Sequence, residues 1–420
     1  MKIILGALIF FCGHNVYGQD AALQQSAPQP RWTVNLAQSY GHRNANVMDE
    51  RQWSRQQGVR FITSSEIVAY QVNETRAYAP LASKGRTGGA GNFFLVGAIL
   101  DARDGHELGR FRLPTNASLS GVFPTNGGKF IVRTGDVFFL YSDSFKELAS
   151  KDLPLGGKAS SEDWQIAVSP SGAKIFLAHR ESVRNGAGEE VDSRVEVEVL
   201  NADTLVVQST FRVPRLERWS AGEDFVVAEN PKGGRYGRNL GLMDLSGKWR
   251  RVQTFLESDN PFACPYSMRA LNDQLVAAIG CHGLLALTTS GKTVLSKSVP
   301  TGVYVASVAA SGDFLAANSL RFQSDYLGFR TAALGIDVYD LAANTASESG
   351  DAQNGGDSKK SPSGRAPLLA IPTQGNNAYY DVSSKGDLAV LEGEELKLYS
   401  LNVQGTKSGR SNLLSARTDD

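Results

Sequence analysis

The stretch "DVSSKGDLAVLEGEELKLYSLN", residues 381–402, decides the fold, because its pattern recurs along the whole chain. An apolar run, "LAVL", follows Gly386 and Asp387. In "LKLYSL", Leu396, Leu398 and Ser400 share one face while Lys397, Tyr399 and Leu401 share the other. Alternation of period two behind a Gly-Asp entry predicts a hairpin. The same turn stands upstream in "TNGGKFIVRTGDVFFLYSDS" (125–144, with Gly128), "SPSGAKIFLA" (Gly172), "SAGEDFVVAE" (Gly222) and "ASGDFLAANS" (Gly312). In "LNDQLVAAIG", Asn272 and Asp273 take the place of the glycine, and "ITSSEIVAYQ", with Ser65, is an earlier copy.

Most of these turns lie roughly 40–50 residues apart, the period of four-stranded propeller blades. Two intervals are longer. Residues 73–92, "NETRAYAPLASKGRTGGAGN", and residues 342–367, rich in Ser, Gly, Ala, Asn and Asp, are polar and without periodicity, so they read as surface loops inserted into the repeat. Within each unit the order is constant. A strand precedes the turn (166–168 or 304–308), a second follows it, and a third alternates, as in Val195, Val197 and Val199. A fourth strand follows a Ser-Gly-Lys turn, as in "DLSGKWRRVQTF" and "TTSGKTVLSKSV". Four antiparallel strands cannot bury both of their faces alone, whereas radial stacking buries them all.

Seven units start in this register, and the last ends at Leu401 after only three strands. The short strand "WTVNL", residues 32–36, is unassigned at the other end of the chain. It is expected to complete the last blade and so remove an open sheet edge. The expectation is therefore an all-β, seven-bladed β-propeller closed by its N-terminal strand. Residues 1–18 are a signal peptide, 19–31 an arm, 32–402 one propeller domain and 403–420 a polar tail.

The texture "SxxGxxxxV…LxLYxL" resembles bacterial β-propellers of the broad WD40, YVTN and quinoprotein-like group. That resemblance covers nearly the whole mature chain. It implies a fold rather than a function, since propellers host binding modules, lactonases, dehydrogenases and hydrolases alike. The Gly-His and Trp-Asp dipeptides of true WD40 repeats are missing at the expected strand ends, so no WD40 interaction residue carries over.

The leader "MKIILGALIFFCGHNVYGQ" has one lysine, an apolar run from Ile3 to Cys12, and Val16 and Gly18 before the expected cut. It reads as a secretory signal, too short to span a membrane, and no other segment approaches the ~20 apolar residues of a span. Export to a periplasmic, extracellular or cell-surface location is expected. Basic and acidic side chains number 43 each, a balance that points to neither nucleic acid nor an anionic membrane. Without the leader the cysteines are Cys264 and Cys281. One precedes the first strand of the fifth unit and the other lies between its second and third strands, so both fall on one rim. A bridge there fits an oxidising compartment and would be worth about 3 kcal/mol; the alternative is two free buried thiols.

The search for chemistry assigns no catalytic residue, metal ligand or cofactor. His14, His42, His106, His179 and His282 form no metal-spaced set. "ALTTSGKT" has a hairpin rather than a strand opening a helix, so it is no phosphate loop. Glu162, Glu217 and Asp381 stand at strand starts with no motif behind them. What rises above this background is the placement of insertions between second and third strands, at 73–92, 181–193, 230–238 and 320–334, all on one rim. They carry Arg76, Tyr78, Arg86, Arg235, Tyr236, Arg238, Tyr326 and Arg330, residue types suited to a binding surface. The plain alternative is solvated loops whose arginines balance Glu189, Glu190 and Asp325. Two functions follow. One is a binding module using that rim for a protein, peptide or glycan; the other is a propeller enzyme of lactonase or quinoprotein type with a site at the central channel.

Overall fold

The computed structural model describes residues 28–40, 57–75, 92–115, 120–134, 137–153, 164–184, 190–213, 216, 219–230, 237–256, 265–280, 283–325, 328–342, 366–373 and 378–401. Strand β1 (Trp32–Asn35) stands apart at the N-terminus. Blade one then comprises β2 (Gln57–Thr63), β3 (Glu66–Thr75), β4 (Asn92–Asp101) and β5 (Glu107–Thr115). Blade two has β6 (Ser120–Pro124), β7 (Phe130–Thr134), β8 (Val137–Tyr141) and β9 (Glu147–Asp152). Blade three has β10 (Trp164–Val168), β11 (Lys174–Arg184), β12 (Glu190–Asn201) and β13 (Val207–Val213).

Blade four follows with β14 (Ser220–Ala221), β15 (Phe225–Asn230), β16 (Gly237–Asp244) and β17 (Trp249–Leu256). Blade five contains β18 (Pro265–Ala270), β19 (Leu275–Gly280), β20 (Gly283–Thr288) and β21 (Thr293–Ser298). Blade six contains β22 (Val303–Ser311), β23 (Phe314–Asp325), β24 (Gly328–Asp340) and β25 (Leu369–Ile371). Blade seven is β26 (Ala378–Val382), β27 (Leu388–Glu392) and β28 (Glu395–Tyr399), and its fourth strand is β1. The result is seven four-stranded sheets, as the turn register requires.

Packing between the sheets makes the ring. In β7 every residue is buried: Phe130 and Val132 join the apolar cluster shared with blade one, while Ile131 between them joins the cluster shared with blade three. Alternation across a strand sends successive side chains to opposite faces, so a second strand needs apolar residues on both faces, as Phe130, Ile131 and Val132 supply in β7. Seven such clusters lie between consecutive blades. The seventh joins blade seven to blade one through Leu391, Leu396 and Leu398 against Val59, Ile67 and Leu100.

Closure uses β1 as expected. Trp32 pairs with Leu398 and Val34 with Leu396, antiparallel. The Trp32 indole N–H also donates to the Ala102 carbonyl at 3.0 Å, tying the closing strand to blade one. The "ALTTSGKT" segment is the β20–β21 hairpin, turning at Gly291 with φ of 97°.

Two of the insertions read as loops are largely strand. Blade three continues its ladder from Glu181↔Arg194 through Arg184↔Glu190, and blade six continues from Arg321↔Ala332 through Asp325↔Gly328. These ribbons pair backbone to backbone without needing an apolar face, so their polar sequences hid them. The insert at 342–367 falls between the third and fourth strands of blade six, with 343–365 outside the described residues.

Candidate functional site: a charged channel and an uneven rim

The innermost strands of the blades surround the ring axis, and the same alternation that fills the blade interfaces decides what faces that axis. In β2, Val59 and Phe61 enter the cluster between blades seven and one, which leaves Arg60 to the channel. Met268 and Ala270 of β18 enter the cluster between blades four and five, leaving Arg269. Tyr380 and Val382 of β26 enter the cluster between blades six and seven, leaving Asp381. All three stand two or three residues before their turns, at one level of the channel. They are the charged residues lining a cavity of about 320 Å³, which Ile166, Ser169 and Ser220 also line.

Hydrogen bonds hold the three in place. Arg60 Nη1 donates to the Val59 carbonyl at 3.0 Å, and Arg269 Nη1 donates to the Val308 carbonyl of blade six at 2.9 Å. Asp381 Oδ2 accepts the Phe61 backbone N–H at 2.9 Å, joining blades seven and one. Tyr380 donates its hydroxyl proton to the Ser307 carbonyl at 2.7 Å and accepts the Asn318 N–H at 3.1 Å. Burial pushes the Tyr380 hydroxyl up to about 12, although the Ser307 hydroxyl, the Asn318 N–H and the two arginines oppose the shift.

Burial also raises the Asp381 carboxyl above its ordinary range, against the opposing pull of Arg60, the Phe61 N–H and Arg269. The two cations differ. Burial and the neighbouring Arg60 lower Arg269, while for Arg60 the attraction of Asp381 and two tyrosines outweighs burial and raises it. Both remain charged, as guanidinium does in proteins.

Toward the first-to-second-strand turns the channel continues into a second cavity of about 220 Å³, which shares Phe61, Pro124, Ser169, Pro170 and Ser311 with the first. Hydroxyls dominate its walls, among them Thr63, Ser64, Thr125, Ser171 and Ser383. They are there because the turns themselves are built from Ser and Thr, whose side chains cap turn N–H groups.

The opposite rim is uneven. Second strands all start at the turn level but stop at different heights: five residues in β7 and β27, six in β15 and β19, against ten in β3, eleven in β11 and twelve in β23. Among the described residues, blades one, three and six therefore reach furthest toward this rim. In blades three and six the surplus of about six residues amounts to roughly 20 Å at ~3.3 Å per residue.

Of the residues singled out on that rim, Arg238 is in β16 opposite Phe255 and Arg330 is in β24 opposite Gln323. Arg76, Tyr78, Arg86, Arg235, Tyr236 and Tyr326 lie outside the described residues, as do Cys264, Cys281, Glu162 and Glu217. Asp381 is placed in the channel. Arg60 and Arg269, which join it there, escaped sequence reasoning. The available signal was a lone charge flanked by apolar residues in an innermost strand.

No family model and no curated protein matches the chain. Among solved structures it is similar to the acylaminoacyl peptidase of Pyrococcus horikoshii, at 10% identity and a TM-score of 0.47, covering 83% of this chain and 52% of that one. The chain thus spans about half the length of that peptidase. It is also similar to the WD40 domain of Neurospora crassa Pan2, at 10% identity and a TM-score of 0.40, covering 74% of this chain and 86% of the domain. BamB from Moraxella catarrhalis matches at 10% identity and a TM-score of 0.37, covering 89% of this chain and 100% of BamB. The fold is a seven-bladed β-propeller.

Proposed function

We propose that the chain is an exported propeller whose uneven rim binds a protein, peptide or glycan. The observation that carries this reading is the height of blades one, three and six. Four strands need only short turns to close a blade, so ribbons of this length are not required to close one. Elements projected from a rigid scaffold are where recognition concentrates. Blades one and six flank the short blade seven, and blades three and four are neighbours across the ring, so the two pairs would form opposed walls around a bound segment. Arg235, Tyr236, Tyr326 and Arg330 would anchor it, the arginines on acidic or hydroxyl groups and the tyrosines by stacking.

The test uses peptides from a displayed random library and glycans from an array, selected on the wild-type chain. Replacing Arg235, Tyr236, Tyr326 and Arg330 together with alanine should weaken the selected ligand at least tenfold while Tm stays nearly constant, because surface substitutions usually change stability little. Unchanged affinity in the folded quadruple variant would move the recognition surface elsewhere.

A second reading, a propeller enzyme working at the channel, is favoured by the raised Asp381 carboxyl, since shifted carboxyls beside charge partners in clefts are candidates for acid-base work. Turnover of lactone or ester probes that disappears in Asp381→Asn would establish it in place of the first.

A further inference from the structure

Arg60 and Arg269 come from blades one and five, which are not neighbours, yet both line the same cavity. Asp381 is the one acidic residue among the lining residues, so two cations face one anion. A fold that needed only to tie its blades together would gain little from this arrangement. Like charges brought together out of bulk water repel, and partly buried ions must be compensated. Burial and Arg60 together make the Arg269 cation harder to keep.

Nor is Asp381 committed to one arginine. It accepts the Phe61 N–H, and its field is shared by both cations. Each guanidinium has five N–H donors, and each makes one hydrogen bond, to a backbone carbonyl, among the described residues. Those single bonds fix the two planes and leave their other donors for something else. A cavity of about 320 Å³ stands at the lower end of the ~300–1,000 Å³ typical of small-molecule sites. The hydroxyl-lined second cavity gives it an approach from the turn side, away from the tall rim.

We propose that the channel is a binding site for a small organic anion, whose carboxylate or phosphate oxygens are held between the guanidiniums of Arg60 and Arg269. Asp381 limits the site to ligands whose charge outweighs its own repulsion, and the serines of the approach supply neutral hydrogen bonds to the ligand's hydroxyls. Charge-assisted bonds of this type are among the strong ones, and guanidinium suits both oxygen groups. The site is independent of the rim reading.

Isothermal titration at low ionic strength with citrate and with glycerol 3-phosphate, and with glycerol as the uncharged control, tests it. One or both anions should bind and glycerol should not; the preferred anion identifies the group as carboxylate or phosphate. Arg269→Gln and Arg60→Gln should each weaken that anion about tenfold or more, the loss expected from removing a charge-assisted contact. Asp381→Asn should strengthen it several-fold, a gain that damage to the fold cannot imitate. The quadruple rim variant should bind the anion as the wild type does. Absence of binding by both anions, or an affinity unmoved by the arginine and Asp381 variants, would overturn the proposal.

Discussion

Gly172 shows what the repeated turn asks of its residues. Its N–H donates to the Ser169 carbonyl at 2.8 Å, its φ is +76°, and Ser169 Oγ accepts the Lys174 N–H at 3.1 Å. Ser383 and Gly386 repeat this arrangement, with the Asp387 N–H on Ser383 Oγ at 3.0 Å. Blade five reaches the turn by another route: Asn272 Oδ1 accepts the N–H groups of Gln274 and Leu275 at 2.9 and 2.8 Å. An Asx turn thus replaces the glycine. Gly172 has a second constraint, because a Cβ there would stand 2.5 Å from the Asn126 nitrogen and 2.6 Å from the Thr125 carbonyl carbon of blade two. Gly393, with φ of +61°, has open space around it. Gly393→Ala should therefore cost about 1 kcal/mol, the penalty of left-handed backbone alone. Gly172→Ala should cost ~3 kcal/mol or more, because backbone between blades has to move. Urea unfolding of both variants measures the difference, and equal losses would mean that the blade contact yields freely.

The strands differ in how much of themselves they disclose. A second strand such as β7 is apolar on both faces because both face a neighbouring blade, and this made the repeat visible in the sequence. The blade-three and blade-six ribbons are polar, "ESVR" and "RFQSD", and carry no alternation to read. Channel residues are less visible still. Arg60, Arg269 and Asp381 are each a single charge in an apolar strand, and only ring closure brings them to one cavity. Element ends carry a further expectation. Pro265 pairs with Gly280 at the rim end of β18 and β19, and Cys264 and Cys281 are the next residue outward on each side. We propose that the chain is exported and that the two cysteines are bridged there. Peptide mapping under non-reducing conditions should recover the two linked, and free thiols at both positions in protein from an oxidising compartment would end the idea.

At the scale of the whole ring, stability depends on the closing strand more than its four residues indicate. Six of the interblade clusters involve blades formed from consecutive sequence, whereas the seventh joins the two ends of the fold, and Leu36, fully buried, belongs to it with Trp32 and Val34 packed alongside. Arg31 and Leu36 extend the pairing at the two ends of β1 through backbone bonds to Leu398 and Glu394. Removing residues 31–37 would strip this cover from β28 and leave its edge unpaired, a template for association with another chain. The same deletion would take apolar area from the junction of blades one and seven, so the ring would lose stability as well as solubility. The truncated chain should melt at lower temperature and scatter light at concentrations where the full chain is clear. Trp32→Ala is the milder test. It removes the large ring and its bond to the Ala102 carbonyl while keeping the strand, and should cost about 3 kcal/mol without exposing the edge, lowering the melt but leaving the protein soluble. A truncated chain as heat-stable and clear as the full one would show that blade seven holds its edge without β1.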